Sequence, residues 1–325
     1  MQEGDLSVNL QRFQYPEIRK GVFSVKSRRR EFLKQTAILG SGVFLLSEDH
    51  QARAEQNQQK PGTNADRRQN GTLKTIHALR TIHGNFTDRP IPEPALQAVL
   101  QACVRAANAS NNQSYAIIVV KDRKRMAQIC GYSGSCLLVF CADYNRIKTE
   151  AELMGYRFDP GNMEFFVTAS TNTVLAAQTA VIAAKSMGID SLLTNGIHRG
   201  DMGRLWQLLS LPEKHCFPII ALVLGYPASE PASLKGRLTG TGVIHTDNYH
   251  RLTQQETGEL IRKYDEPDEH LGLRDDWTAK GYKHYLDWYF KEWAGSADGE
   301  ESQILRVLKL AGFVEAGKGT ARPKA

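Results

Sequence analysis

Three observations predict a mixed chain of alternating strands and helices. Tyr115–Val120, Leu137–Phe140 and Phe217–Leu224 are short, near-continuous apolar runs, as buried strands are. After Pro92, apolar residues recur at helical spacing: Leu96, Val99, Leu100, Cys103, Val104 and Ala107. A long Ala-rich stretch, Thr168–Met187, stands between the second and third apolar runs and stops at Gly188, a residue suited to a helix C-terminus.

The elements follow in order. Thr72–Ile82 reads as a helix whose end carries Arg80. Pro92-Glu93-Pro94 opens the helix with the apolar stripe, and the polar loop Asn108-Ala109-Ser110-Asn111-Asn112-Gln113 ends it. Tyr115–Val120 is a strand. Asp122 caps a short basic helix to Gln128. Leu137–Phe140 is the next strand, then comes the Ala-rich helix, then a short strand Ile189–Leu193. Asp201 caps a helix through Leu209, with Pro212 beyond it, and Phe217–Leu224 closes the strand series at Gly225-Tyr226-Pro227. From Leu252 the chain turns aromatic-rich (Trp277, Tyr282, Tyr285, Trp288, Tyr289, Phe290, Trp293), which reads as an appended helical arm. Such a stripe at helical spacing more often packs than binds a cofactor.

The chain has 325 residues, 41% of them apolar, enough for one sizeable core. Net charge is +6, but nine of the 41 basic residues and six of the 35 acidic ones fall within residues 1–54. The remainder is nearly balanced, which argues against a nucleic-acid partner. The five cysteines are an odd number without C-x-x-C spacing, so neither zinc nor a thioredoxin-like site is expected. No apolar run reads as long enough to span a membrane.

Arg28-Arg29-Arg30-Glu31-Phe32-Leu33-Lys34, the modest apolar run Thr36–Leu46 and Ala52-Arg53-Ala54 occur in the order of a secretory leader. Paired arginines followed by x-Phe-Leu-Lys resemble the twin-arginine export signal. Residues 1–54 are therefore expected to be a signal peptide that engages the twin-arginine machinery and delivers a periplasmic protein. Residues 55–71 read as a polar linker.

There is no G-x-G-x-x-G after a strand, no phosphate-loop motif, no H-E-x-x-H and no G-x-S-x-G. The histidines are scattered. His198 and His215 read as loop residues, and His245 and His250 as a local hydrogen-bonding cluster. Four polar patches remain, each at the end of an expected element: Arg80-Thr81-x-His83; Asn108 with Asn111 and Gln113; Thr194-Asn195-Gly196; and Lys235-Gly236-Arg237. Each also has a bland reading as a solvated loop. Arginine and lysine beside a hydroxyl suit a phosphate, amides suit polyol hydroxyls, and a backbone N–H beside glycine suits a ring edge. A ligand with a phosphate, a polyol chain and a flat heterocycle would use all four, and flavin mononucleotide (FMN) is such a ligand.

Between Thr72 and Tyr264 the chain resembles the nitroreductase family of flavoproteins, and within it the A-type, oxygen-insensitive NAD(P)H nitroreductases. The residues that carry this are Arg80-Thr81-Ile82 with Phe86–Ile91, Val139–Arg146, Ala177-Gln178 with Ala183–Gly188, Leu224–Pro227, Leu234–Leu238 and His245–Tyr249. The resemblance implies an α+β fold with a central, mostly antiparallel sheet flanked by helices. It also implies an intertwined homodimer with two FMN sites at its interface. An FMN-binding domain is thus expected over 72–250, and the aromatic-rich arm is read as a helical extension over 251–325. By the same resemblance Arg80, Lys235 and Arg237 hold the FMN phosphate, and Thr81 bonds the phosphate or ribityl end. His83 stands near N1 and O2, Asn108, Asn111 and Gln113 lie by the ribityl chain and ring, and Thr194, Asn195 and Gly196 approach N5.

Three departures stand out. His83-Gly84 replaces the family's second basic residue with one residue extra, the Cys130–Cys136 segment is short and lacks a flavin-contacting glutamine, and Asn195 stands for a glycine. The implied activity is ping-pong, two-electron reduction of nitroaromatics, quinones or similar small aromatic acceptors, with NAD(P)H as donor and no catalytic side chain nominated. An exported enzyme would meet little NAD(P)H, so a quinol or a partner protein is the alternative donor. Two other functions stay open: a flavin-binding electron carrier or sensor without NAD(P)H turnover, and a scaffold that has lost the flavin.

Overall fold

The computed structural model describes residues 70–294 and 302–314, all within the unit spanning 64–325. The expected signal peptide and nearly all of the linker lie outside these residues. Among the described residues, four strands form one antiparallel sheet in the order β1-β2-β4-β3. They are β1 (Tyr115–Val120), β2 (Cys136–Asp143), β3 (Asp190–Thr194) and β4 (Cys216–Gly225). The expected α+β fold with an antiparallel sheet is therefore what forms. β2 and β4 sit in the middle and are covered on both faces, so neither can alternate apolar with polar residues. That is why both read as continuous apolar runs.

The core has two layers, one on each face of the sheet. Leu137, Val139 and Cys141 of β2 turn to one face with Met126, Ile129, Leu205 and Leu209. Those four belong to helices α3 (Arg123–Cys130) and α6 (Met202–Leu209). Cys136, Leu138 and Phe140 turn to the other face with Leu96, Val99, Ala176, Ala177 and Ala180. These come from α2 (Glu93–Cys103) and α5 (Met163–Ser186). The period of two in β2 thus feeds both layers. Small alanines along α5 let the helix lie close on the sheet. The β2–β4 register shifts between Phe140 and Cys141, and β4 carries Pro218 there, a residue with no N–H to give the ladder.

Caps explain several boundaries. Asp122, Asn162 and Asp201 each accept a backbone N–H two or three residues into their helices. The Asp122 and Asp201 caps were expected. Asn162 was not, and it starts α5 five residues before the sequence expectation. α5 is also long and apolar enough to cross a membrane by length and composition alone, contrary to the sequence expectation. Its buried face packs on the sheet and includes Asn172 and Thr173, which fits the core helix of a folded domain.

Two expectations are corrected. The first helix, α1, covers Gly71–His77 and not Thr72–Ile82. Arg80-Thr81-Ile82 instead runs along β3, with Thr81 bridged in parallel to Ser191 and the Ile82 N–H donating to the Ser191 carbonyl. Pairing to a strand more than a hundred residues away outcompeted local helical preference. The stripe after Pro92 ends at Cys103, leaving Val104 exposed outside α2.

Helix α4 (Asn145–Leu153), which the sequence reading did not foresee, follows β2. The last described elements are α7 (Gln254–Asp265), the short α8 (Tyr285–Trp288) with a π-helical turn Tyr289–Trp293, and α9 (Gln303–Leu310). Helix α9 brings Leu308, with Ala311 and Phe313 just beyond, against Ala142, Tyr144 and Phe217.

Candidate functional site

Five of the predicted residues, Arg80, Thr81, His83, Lys235 and Arg237, line one cavity of about 680 Å³. The same cavity is also lined by Tyr264, Tyr285, Tyr289 and Phe290 with Leu271 and Leu273. This size falls inside the ~300–1,000 Å³ usual for small-molecule sites. Cations and aromatic side chains in one lining suit a planar ligand carrying an anion.

The edge of β3 sets Arg80 in place. Its Nε and Nη2 donate to Asp190 at 3.0 and 2.7 Å, and Nη1 donates to Glu230. These two carboxylates raise the Arg80 pKa, so it is a permanent cation. Burial would raise the Asp190 pKa, but hydrogen bonds from Arg80 and Lys185 outweigh it and hold it below the usual carboxylate range.

Lys235 is exposed and lies 3.7 Å from Asp275, a loose pairing that a ligand anion can replace. Arg237 folds back to donate to the carbonyls of Lys235 and Gly236. Gly236 is required between them: a Cβ there would stand 1.9 Å from the Glu269 carbonyl oxygen. The Gly236 N–H donates to the His270 carbonyl, so two backbones meet where no side chain fits.

His83 is exposed and meets Tyr132 edge-on at 6.5 Å between ring centroids. Tyr132 in turn lines a second cavity of about 580 Å³ with Cys130, Gly131, Gly196, Arg199 and Arg204. Gly196, expected near N5, therefore belongs to this neighbouring space. Its N–H donates to the Thr194 hydroxyl at 2.9 Å. Asn195 is exposed at the end of β3.

Asn108, Asn111 and Gln113 line neither cavity. They form a tight loop in which Ser110, Asn111 and Gln113 all have positive φ. Asn108 accepts the Gln113 N–H at 3.1 Å. Buried Asn172 holds the loop by accepting the Ala109 N–H and donating to Asn112 and Ser114, and Arg146 donates to the carbonyls of Asn112 and Gln113. A loop fixed this firmly, in left-handed backbone, is built to present its polar edge outward.

Several residues of the site were not singled out from the sequence. Asp190 had a signal: an acid inside an apolar strand needs a partner. Glu230 had none. The sequence predicts packing for the aromatic residues after Leu252. Tyr285 and Trp288 are indeed buried, but Tyr285, Tyr289 and Phe290 also wall the cavity. His250 donates its backbone N–H to His245 and its ring pairs with Glu256, as the local cluster reading expects. All five cysteines are buried and free.

A helix-flanked antiparallel sheet with a cationic, aromatic-walled cavity at its edge defines a protein that holds a flat, anionic ligand. Residues 76–226 match the model of the nitroreductase family. The chain is 32% identical over 207 residues to "FMN reductase [NAD(P)H]" of Bacillus subtilis, covering 61% of this chain and 81% of that protein. It is 31% identical over 206 residues to the "Oxygen-insensitive NADPH nitroreductase" of Salmonella typhimurium, covering 60% and 80%. Among solved structures, the NADPH:FMN oxidoreductase of Vibrio harveyi complexed with NAD+ superimposes with a TM-score of 0.62 at 25% identity, covering 76% of this chain and all of that one. The chain belongs to the nitroreductase family.

Proposed function

We infer that this protein is an FMN-dependent oxidoreductase that uses NAD(P)H as donor. The observation that carries this reading is the convergence of Arg80, Thr81, Lys235 and Arg237 on one cavity with an aromatic wall. The names of the relatives agree with it: reductases of flavin and of nitro compounds that take NAD(P)H. The donor set fits the group, since three cations and a hydroxyl match a phosphate and tyrosine and phenylalanine faces match a ring system.

When bound, FMN supplies two-electron chemistry, taking a hydride from the nicotinamide and passing it to the acceptor. The chain's own residues bind, orient and tune. Lys235 and Arg237 receive the phosphate beside Arg80, and the Thr81 hydroxyl adds a donor. His83 lines the same cavity and meets Tyr132 of the neighbouring one, where its ring can hydrogen-bond the bound ring system. Gly196 lines that second cavity, and Thr194 and Asn195 lead into it along the chain. Asn108, Asn111 and Gln113 lie on a loop apart from both, and a homodimer would let a partner's copy of this loop complete each site. Half-exposed Val167, Val174 and Leu175 on α5 offer the apolar face such a dimer needs.

Nitroaromatics and quinones are the acceptor class we propose. They are flat, electron-poor and able to stack in the space the nicotinamide leaves. Export by the twin-arginine route is proposed from the leader, and it suits a protein that must carry its cofactor folded. Fusing residues 1–54 to a reporter, with Arg29 and Arg30 changed to Lys, tests export directly.

The native protein is expected to be yellow, to lose its visible absorbance on anaerobic addition of NADH or NADPH, and to regain it with a nitroaromatic or quinone. A yellow protein that neither nucleotide bleaches would refute NAD(P)H as donor, and bleaching by a quinol would then separate an enzyme with another donor from a carrier. A colourless protein that takes up no FMN would refute both.

A further inference from the structure

Arg80 reaches the cavity from within a buried charge cluster that its phosphate-binding role does not require. Asp190 is 5% exposed and accepts three charge-assisted hydrogen bonds: Arg80 Nε at 3.0 Å, Arg80 Nη2 at 2.7 Å and Lys185 Nζ at 2.7 Å. Backbone pairing sets this up. The parallel bridge between Thr81 and Ser191 stands residues 80 and 190 side by side at the sheet edge. Lys185 arrives from the last turn of α5. A lone carboxylate in this position would be strongly disfavoured, and Arg80 by itself would satisfy only part of it.

A guanidinium has two usable edges. Asp190 takes the Nε–Nη2 edge in a bidentate contact, so the fork cannot swivel and Nη1 is the edge left for anything else. Nη1 now meets Glu230, whose carboxylate is 73% exposed and free to leave. Asp190 alone would also cancel the Arg80 charge. Lys185 restores it: two cations share one buried anion, so Arg80, Lys185 and Asp190 together keep a net positive charge once Glu230 leaves.

We propose that Asp190 is a positioning residue that locks Arg80 with Nη1 offered to the ligand's phosphate, while Lys185 keeps the charge of Arg80 available to that phosphate. The proposal rests on the FMN reading and adds the selectivity behind it: the cluster makes the site discriminate a phosphorylated flavin from riboflavin, which has the same ring and polyol but no phosphate. A purely structural ion pair that pins the Arg80 segment to β3 would affect both flavins alike.

The test compares dissociation constants of FMN and riboflavin for the purified full-length chain, read by quenching of flavin fluorescence. Asp190→Asn is expected to weaken FMN about tenfold, the equivalent of one charge-assisted hydrogen bond, and to leave riboflavin within about twofold. Arg80→Ala should do the same, and adding Asp190→Asn to it should lower the FMN preference no further, because Asp190 acts through Arg80. Lys185→Met keeps Asp190 but withdraws its second cation, and should reduce the preference about threefold. An unchanged FMN-to-riboflavin ratio in Asp190→Asn, or an equal loss of both flavins, overturns the proposal. Should Asp190→Asn fail to fold, the Lys185→Met ratio decides on the same terms. A wild-type chain that binds neither flavin overturns the cofactor reading itself, an outcome distinct from wild type that binds FMN with a ratio no variant alters.

Discussion

Glu230 sits on the one edge of Arg80 that Asp190 leaves open. An exposed carboxylate therefore stands in contact with the cation that we assign to a phosphate. Glu230→Gln removes this internal competitor. It should tighten FMN binding by about two- to fivefold, the worth of an exposed ion pair, while riboflavin binding stays the same. Titration at low and at high salt checks it, since the gain should shrink as salt screens the pair.

Gly236→Ala should be poorly tolerated. The added methyl would stand 1.9 Å from a backbone oxygen of Glu269, which cannot swing away as a side chain can. The loop carrying Lys235 and Arg237 would have to move off the 269–272 segment. Overpacking of this kind costs about 1–3 kcal/mol, and here it also displaces two cations from the cavity. Thermal unfolding and the flavin retained after purification should both fall.

Asn172→Ala should loosen the 108–114 loop at a distance from both cavities. It deletes an acceptor for the Ala109 N–H and a donor to Asn112 and Ser114, all at a position 1% exposed. Leaving such groups unpaired costs about 1–3 kcal/mol. Denaturant unfolding measures that loss. If the loop completes a partner's site, FMN affinity falls as well, and more in a dimeric sample than in a diluted one.

The strands were largely legible because the sheet is buried on both faces. β1 matches its expected bounds, and β2, β3 and β4 differ by a few residues at their ends. Capped helices were legible too, since Asp122 and Asp201 announce themselves. The α1 boundary was not: nothing near Arg80 in the chain says that Ser191 will take its neighbour's backbone. The same blindness hid Glu230, whose partner lies 150 positions earlier. Of the candidate site, the cations were readable by type. Which patches share a cavity was not, because that depends on the way remote loops cross the sheet edge.

Acidification should loosen the chain's last described helix. His215 is half-buried, its buried Nδ1 has no partner, and its backbone N–H donates to the Ala311 carbonyl. Burial holds its pKa below the ordinary value, with Asp159 and Asp143 opposing and Lys148 and Lys214 reinforcing the shift. The folded chain thus keeps this ring neutral, while the unfolded chain protonates it near pH ~6.5. The contribution is complete above that pH and is lost as pH falls from there through the lowered folded value. The melting temperature should drop between pH 7.5 and 5.5, and His215→Asn, which tolerates the positive φ, should flatten that slope.

The cavity draws its lining from three separate stretches, residues 79–83, 231–237 and 264–290. A nascent chain thus carries Arg80 long before Lys235, Arg237 and the aromatic residues have left the ribosome. Cofactor loading must wait until the residues through Phe290 have been made, and polypeptides stopped short of Tyr285 should accumulate colourless, however much of the sheet they have formed.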